Sequence, residues 1–307
     1  MPDLAPRIYA QSRIGNTHIS KSLPNQDSVR FWISPDSHHF CIAISDGHGS
    51  SSHPYSDVGS RFAAEIAIDT YQSNYVNSIS SLDPENFFKL VLERWTQECV
   101  AYHKQTYQSQ DPSESPILKL YGATLCVVYV CGDTIAVSSV GDSNVYYRNH
   151  SGLVSGFLIN DDSYGEATFS LCQPNALSHL ETKYIPYSPG IIVASTDGII
   201  KSLKSSKDYA LISNYYLSLV ANSQVDDAQI NADIASQLDE FSKNGSGDDC
   251  TLALVLIPSS LQATEVVEIE KQGATSNQLK NIYSGLTSSN KSLKKKRAAL
   301  ICYLLYS

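Results

Sequence analysis

Four aspartates in this sequence border short apolar stretches and have glycine close by. They lie in the segments Asp46-Gly47, Gly141-Asp142, Asp197-Gly198 and Gly247-Asp248. One Asp-Gly pair predicts no more than a turn, because these two residues dominate ordinary turns. Four carboxylates next to apolar strands are less easily explained that way, since carboxylate oxygens are the ligands that Mg²⁺ and Mn²⁺ prefer. Together they favour a centre in which divalent cations activate water for hydrolysis.

The elements that must position these aspartates are predicted from the hydropathy pattern. Apolar runs indicate buried strands, and the runs over 123–130 and 134–141 are close enough in the chain to form an antiparallel hairpin. The pattern predicts that residues 144–149 continue this hairpin. The predicted strands cover residues 40–45, 123–130, 134–141, 190–196 and 250–257.

Helical spacing separates these strands. Apolar residues recur at intervals of three and four from Val58 onward, after Pro84, near 208–221 and over 227–242. Strands in hairpins and helices in consecutive pairs indicate sheets that pack on each other and are covered by helices. A regular alternation of strand and helix is not indicated.

Composition excludes several classes of protein. The chain has 307 residues, of which 42% are hydrophobic, so it can bury one large core or two ordinary ones. Its net charge of -9 argues against a nucleic-acid surface, and its seven cysteines include no CxxC pair. We find no secretory signal and no apolar stretch long enough for a membrane span, so we expect a cytoplasmic protein without a transmembrane segment.

A change in composition after Pro258 predicts a domain boundary. Residues 259–307 hold seven basic and three acidic residues, whereas the acidic excess lies in residues 1–258. Polar and basic residues dominate the second segment until its apolar end, which is typical of a linker and tail. We therefore predict one catalytic domain over 1–258 and a tail over 259–307.

The motifs occur in a specific order. Read along the chain, they resemble the PP2C-type (PPM) metal-dependent serine/threonine protein phosphatases, in particular the bacterial type, over about residues 8–257. The resemblance implies an α+β fold, a four-layer α/β/β/α sandwich of two antiparallel sheets flanked by helix pairs. The matching motifs are Asn25-Gln26-Asp27, Asp46-Gly47-His48-Gly49, Gly122-Ala123-Thr124, Gly141-Asp142-Ser143, Ser195-Thr196-Asp197-Gly198 and Gly247-Asp248-Asp249-Cys250-Thr251.

The resemblance also implies a set of cation ligands. Asp46 would bridge two Mn²⁺ or Mg²⁺ ions, and the Gly47 carbonyl would bind one of them. Asp197 and Asp248 would hold the other, and Asp142 could help to hold a third, weaker metal. A water activated by these ions would attack phosphoserine or phosphothreonine in a protein substrate, so no cysteine has to act.

Three further residues have implied roles. His48 matches the histidine proposed to protonate the leaving serine or threonine oxygen, a role suited to imidazole because the pKa of this group lies near working pH. A histidine that only makes a hydrogen bond in a polar loop is the alternative. Asp27 and Gln26 are expected to support the ligands, with Gln26 standing where many relatives have glutamate.

The sequence departs from the family where phosphate would bind. Ser22 and Asn144 stand at positions where many relatives have arginine. Lys21 or Arg13 could supply the missing cation, although lysine lacks the bidentate fork of arginine. Both could equally be solvated surface charges.

Alternatives remain for the function and for the tail. The same fold could serve as a catalytically inactive binding or regulatory module, or as a metal phosphoesterase acting on small molecules. The basic and apolar end of the tail could dock on a partner or on an anionic membrane surface. A frayed, solvated terminus is the simpler interpretation of that segment.

Overall fold

A computed structural model describes residues 5–76, 82–107, 113–149, 154–157, 168–203, 211–212, 215–216, 219 and 226–258. The predicted tail, 259–307, and part of the predicted helix near 208–221 lie outside these residues. The boundary at residue 258 therefore stays a prediction.

Ten strands form two five-stranded sheets. The first sheet has the order β1-β10-β9-β6-β7 and the second the order β2-β3-β4-β5-β8. Neighbouring strands are antiparallel in both sheets. The strands are β1 Arg7–Arg13, β2 Ser28–Ile33, β3 Phe40–Ser45, β4 Leu125–Cys131, β5 Thr134–Val140, β6 Asn144–Asn149, β7 Val154–Phe157, β8 Glu181–Pro186, β9 Gly190–Ser195 and β10 Cys250–Ile257.

Six α-helices are described with the sheets. Two of them, α2 and α3, are long and carry an apolar face with Phe62, Ile66, Val91 and Trp95 buried. The helices are α1 Asn16–Ser20, α2 Ser56–Val76, α3 Pro84–Tyr107, α4 Glu114–Lys119, α5 Asp197–Ile200 and α6 Asp227–Phe241. A 3₁₀ turn covers Ala176–His179, and a π-helical turn, Ser242–Ser246, follows α6. None of the helices in the described part of the chain combines the length and apolar character needed to cross a bilayer.

Alternating side chains of the strands build three separate cores, because successive residues of a strand face opposite sides of the sheet. In β3, Cys41 and Ala43 pack with α2 and α3, whereas Ile42 and Ile44 face the other sheet. In β10, Leu252 and Leu254 pack with α6. The layers are therefore helix, sheet, sheet, helix, which confirms the four-layer sandwich.

One predicted connection is wrong. Residues 144–149 form a strand, β6, but it does not continue the β4–β5 hairpin. The register pairs Asn144 with Ser195 of β9, so β6 belongs to the first sheet. The turn Gly141-Asp142-Ser143, with Gly141 at a φ of 120°, thus carries the chain from one sheet to the other. Hydropathy cannot distinguish the two pairings, since it indicates that β6 is a strand but not which strand lies beside it.

Candidate active site

The register brings the motif loops to one end of the sandwich. In the second sheet, Ser45 at the end of β3 pairs with Ser28 at the start of β2. In the first sheet, Ser195 at the end of β9 pairs with Leu252 near the start of β10. We call this the acidic end, defined by the loops that carry Asp27, Asp46, Asp142, Asp197 and Asp248.

Backbone hydrogen bonds fix Asp46 beyond the end of β3. Its N–H donates to Thr124 Oγ1 at 3.0 Å, and its carbonyl accepts from the Thr124 N–H at 2.8 Å. The next N–H, that of Gly47, donates to the Gln26 carbonyl at 3.0 Å. A side chain at Gly47 would bring its Cβ within 2.6 Å of that carbonyl oxygen, so the close approach requires glycine.

The Asp46 carboxyl lies in the field of the other aspartates. Burial raises its pKa well above the usual range, and Asp27, Asp197, Asp248 and then Asp142 raise it further. Such mutual repulsion is costly unless a cation offsets it. The four strand-end aspartates of the sequence are therefore neighbours in space.

Asp197 and Asp248 share a cation supplied by the chain. Asp197 is the first residue of the short helix α5, and Lys201 follows that helix. The Lys201 Nζ lies 2.7 Å from Asp197 Oδ2 and 3.1 Å from Asp248 Oδ2. Burial raises the pKa of Asp197 to about 6, although the Lys201 ammonium acts in the opposite direction. Sequence analysis did not identify Lys201. Its position four residues after Asp197 could have indicated an ion pair on one face of a helical turn.

Asp27 supports the site from within the core. Its Oδ2 accepts hydrogen bonds from Thr196 Oγ1 and Thr251 Oγ1, both at 2.8 Å. Burial, followed by the Asp249 carboxylate, raises the pKa of Asp27 well above its usual range. Asp27 thus links the start of β2 to Thr196 and Thr251, which flank Asp197 and Asp248 in the chain.

Asp249 is a second residue to which sequence analysis assigned no role of its own, although it belongs to one of the matched motifs. Its oxygens accept the backbone N–H groups of Gly15 at 2.5 Å and Gln26 at 2.6 Å. The His18 Nδ1 lies 2.9 Å from Asp249 Oδ1. The available signal was a second aspartate directly after Asp248.

Gln26 and Asp197 each present an oxygen without a hydrogen bond. Both the Gln26 Oε1 and the Asp197 Oδ1 are buried and lack a hydrogen-bond partner among the described residues. Unpaired buried oxygens are uncommon, and a missing ion or water is one physical reason for them. They are therefore suitable ligands for a cation or for a water bound to one.

His48 stands at the edge of the acidic end. Its N–H donates to the Gly122 carbonyl at 3.0 Å, and its ring centroid lies 4.9 Å from that of His53. Burial, with a smaller contribution from His53, lowers the pKa of His48 to about 4. Desolvation penalises the charged ring, so His48 holds a proton less readily here than a free imidazole does.

Asp142 lies in the crossover between the sheets. Its Oδ2 accepts from Thr168 Oγ1 at 2.7 Å, and its carbonyl accepts from Asn144 Nδ2 at 3.3 Å. Asn144 is buried, and its amide is directed to the backbone of this turn. Asp142 lies close enough to Asp46 and Asp197 for its charge to raise the pKa of both carboxyl groups.

The two candidate phosphate-binding cations differ in availability. Arg13 donates from Nε and Nη2 to Asp239 on α6, at 2.7 and 3.1 Å, and this pairing raises the pKa of the guanidinium. Lys21, at the end of α1, is exposed. Arg13 would have to leave Asp239 to bind phosphate, so Lys21 is the freer of the two side chains.

The donor set fits hard divalent cations by type. Asp46, Asp197, Asp248 and the Gly47 carbonyl all offer oxygen. Among the described residues, however, no group of three or more His, Cys, Asp or Glu side chains is arranged so that it could hold a metal as it stands. The chemistry of the donors and the two unpaired buried oxygens fit such an ion, and its ligands would have to draw closer to bind it.

Comparison with known proteins identifies the family. A family model described as protein phosphatase 2C matches residues 14–239, which include Asp46, Asp142 and Asp197 but end before Asp248. Comparison with curated protein sequences finds no match.

Solved structures with the same fold include three bacterial phosphatases at low sequence identity. A bacterial serine phosphatase is 14% identical with a TM-score of 0.57, over 83% of this chain and 99% of that chain. The catalytic domain of the serine/threonine protein phosphatase PstP, in complex with two manganese ions, has 14% identity and a TM-score of 0.51 over the same shares. Stp1 from Staphylococcus aureus has 13% identity and a TM-score of 0.53, over 82% of this chain and 95% of that chain.

At these identities the structural likeness shows the fold, and the family rests on the sequence model. That model covers well over half of the chain, and its motifs lie at the acidic end. The chain belongs to the protein phosphatase 2C family.

Proposed function

We propose that this chain hydrolyses phosphoserine and phosphothreonine in proteins with the aid of bound Mn²⁺ or Mg²⁺. The observation that carries the proposal is the field at Asp46, to which Asp197, Asp248 and Asp142 all contribute. A family member that retains these carboxylates has the ligands on which the family's hydrolysis depends.

The residues proposed to hold the cations are Asp46, the Gly47 carbonyl, Asp197 and Asp248, with Asp142 at a weaker third position. When bound, such ions supply the positive charge that lowers the pKa of water and offsets the charge of the phosphate. PstP, a neighbour in fold, is described with two manganese ions.

The remaining residues would position the loops and move a proton. Asp27 and Asp249 hold the loops through hydrogen bonds to Thr196, Thr251 and the Gln26 N–H. His48 is proposed to give a proton to the leaving serine or threonine oxygen, which requires the bound phosphate to raise its pKa from the low value that burial produces. Lys21 is proposed to attract the phosphate. Neither role is needed to fold the chain.

Two observations favour a second candidate, an inactive binding module on the same fold. Ser22 stands where many relatives have the phosphate-binding arginine. In addition, Lys201 already occupies Asp197 and Asp248 with a positive charge. An active enzyme and a module differ in turnover, so one assay separates them.

The assay measures phosphate release by the purified full chain from p-nitrophenyl phosphate, from phosphoserine and phosphothreonine peptides and from a panel of small phosphate esters. We expect turnover with Mn²⁺ or Mg²⁺, loss of turnover with a chelator and recovery on adding the metal back. Peptides should be preferred over the small esters. Turnover that persists in chelator contradicts metal dependence, and folded protein without turnover favours the module.

A further inference from the structure

Lys201 places a positive charge at the acidic end, with its side chain partly exposed to solvent. Its Nζ donates to Asp197 Oδ2 at 2.7 Å and lies 3.1 Å from Asp248 Oδ2, so one ammonium contacts both carboxylates. The two aspartates are the same pair that is proposed to hold one of the two divalent cations. An ammonium and a divalent cation therefore compete for the same oxygens.

The backbone determines where this ammonium lies. Lys201 follows α5 directly, and its N–H donates to the Asp197 carbonyl at 2.9 Å, which places the two side chains on one face of the helical turn. The helix α5 packs closely against the start of β10. A side chain at Gly198 would collide with the Asp249 backbone, so this close packing requires glycine. The contact with Asp248 thus follows from the packing of α5 on β10.

Few oxygens of this pair remain for a metal. The Asp248 Oδ1 accepts the Asp249 N–H at 3.0 Å, and both Oδ2 atoms contact the ammonium. The Asp197 Oδ1 is the buried oxygen that lacks a hydrogen-bond partner among the described residues. A divalent cation at this pair must therefore share its oxygens with an ammonium that repels it.

The Asp46 side of the acidic end differs. In the part of the chain that the structure describes, no lysine, arginine or histidine forms an ion pair with Asp46. The neighbouring aspartates Asp27, Asp197, Asp248 and Asp142 repel its negative charge. A divalent cation at Asp46 and the Gly47 carbonyl therefore meets uncompensated negative charge.

We propose that the Lys201 ammonium takes the place of one divalent cation in this chain. One divalent ion binds tightly at Asp46 and the Gly47 carbonyl, and the Asp197–Asp248 pair binds a second ion only weakly, since that ion must displace the ammonium. The inference takes the kind of ion, Mn²⁺ or Mg²⁺, from the proposed function. What it predicts is how many ions bind and how tightly, not the rate of turnover.

The experiment counts bound Mn²⁺ by calorimetry and by the electron paramagnetic resonance signal of free Mn²⁺. It compares the wild-type chain with Lys201→Met, which keeps the aliphatic stem and removes the charge. We expect the wild type to hold about one ion tightly and Lys201→Met to hold about two, with the affinity of the second ion raised by about tenfold or more.

Two control variants separate this effect from a general change of charge. Lys183→Met removes one positive charge from the edge strand β8 and should leave the binding of Mn²⁺ within about twofold of wild type. Lys201→Arg keeps the charge beside Asp197 and should stay near one tightly bound ion.

Melting temperature provides a second measurement in case Lys201→Met is unstable without metal. Removing the ammonium leaves two carboxylates uncompensated, so this variant should melt lower than wild type in chelator and gain more from Mn²⁺. An equal gain in both proteins overturns the inference. So does a wild-type chain that holds two Mn²⁺ ions with similar affinity, or one that holds none.

The failure of this inference and the failure of the proposed function give different results. A chain that binds ions as expected but hydrolyses no phosphopeptide supports the role of Lys201 and contradicts the proposed function. A chain that hydrolyses phosphopeptides and holds two ions equally tightly supports the proposed function and contradicts the role of Lys201.

Discussion

The Asp249 carboxylate accepts the backbone N–H of Gln26 at 2.6 Å and so joins two residues 223 positions apart. The other carboxylate oxygen accepts the Gly15 N–H at 2.5 Å. A charged acceptor makes stronger hydrogen bonds than a neutral one, and these bonds are buried. Asp249 thereby fixes the loop that carries Gln26 and Asp27 against the start of β10.

Replacing Asp249 with alanine should destabilise the chain. Two buried N–H groups would lose their acceptor, which we expect to lower the free energy of unfolding by about 2–4 kcal/mol. Urea denaturation followed by tryptophan fluorescence measures this change. Asp239→Ala is the matched control, because it removes an exposed carboxylate paired with Arg13 and should cost less than about 1 kcal/mol. Equal costs for the two variants would show that the Gln26 contact contributes little.

Asp46→Asn tests the central ligand. The amide keeps the shape of the side chain but removes the charge that attracts cations, so we expect turnover of p-nitrophenyl phosphate with Mn²⁺ to fall by about 10³-fold or more. Circular dichroism should show a folded chain. The control is Asp69→Asn on the exposed face of α2, which should retain wild-type rates. Wild-type turnover in Asp46→Asn would remove Asp46 from the catalytic site.

The leaving group reveals whether His48 donates a proton. A serine alkoxide needs protonation to leave, whereas p-nitrophenolate does not. We therefore expect His48→Asn to lower turnover of a phosphoserine peptide by about 10²-fold or more while p-nitrophenyl phosphate falls by less than about tenfold. The control His38→Asn changes an exposed loop residue and should have no effect on either substrate. Equal losses on both substrates would assign His48 a positioning role instead.

The tail should be dispensable for chemistry. Deletion of residues 259–307 is expected to leave hydrolysis of p-nitrophenyl phosphate within about twofold of the full chain, because every matched motif and strand β10 precede residue 259. The rate is measured at equal concentrations of the two proteins with saturating Mn²⁺. A truncated chain that is insoluble or inactive would place the domain boundary beyond residue 258.

Long, strongly patterned elements were predicted well from the sequence. The run over residues 250–257 is strand β10, and the helical spacing after Pro84 is α3. Elements with a weaker pattern were not predicted, among them β1 and β8. In β8 most side chains are exposed, so its hydropathy does not differ from that of a loop.

The residues of the acidic end were identified in the sequence, but their partners were not. The motif around Asp197 indicates a ligand, yet nothing in that motif shows that Lys201 also reaches Asp248, 47 residues further along the chain. Likewise, Arg13 could not be assigned to Asp239 from sequence, since the two are 226 positions apart. Such contacts depend on how α5 and α6 pack on the first sheet.

The sequence by itself determined the family, the alternation of apolar strands and amphipathic helices, and the aspartates that are candidate ligands, because these depend on residue type and local order. Only the tertiary structure decided that β6 crosses to the first sheet, that burial lowers the pKa of His48 to about 4, and that Lys201 contacts both Asp197 and Asp248. Strand pairing, desolvation and ion pairing are set by neighbours distant in the chain, and folding alone brings those neighbours together.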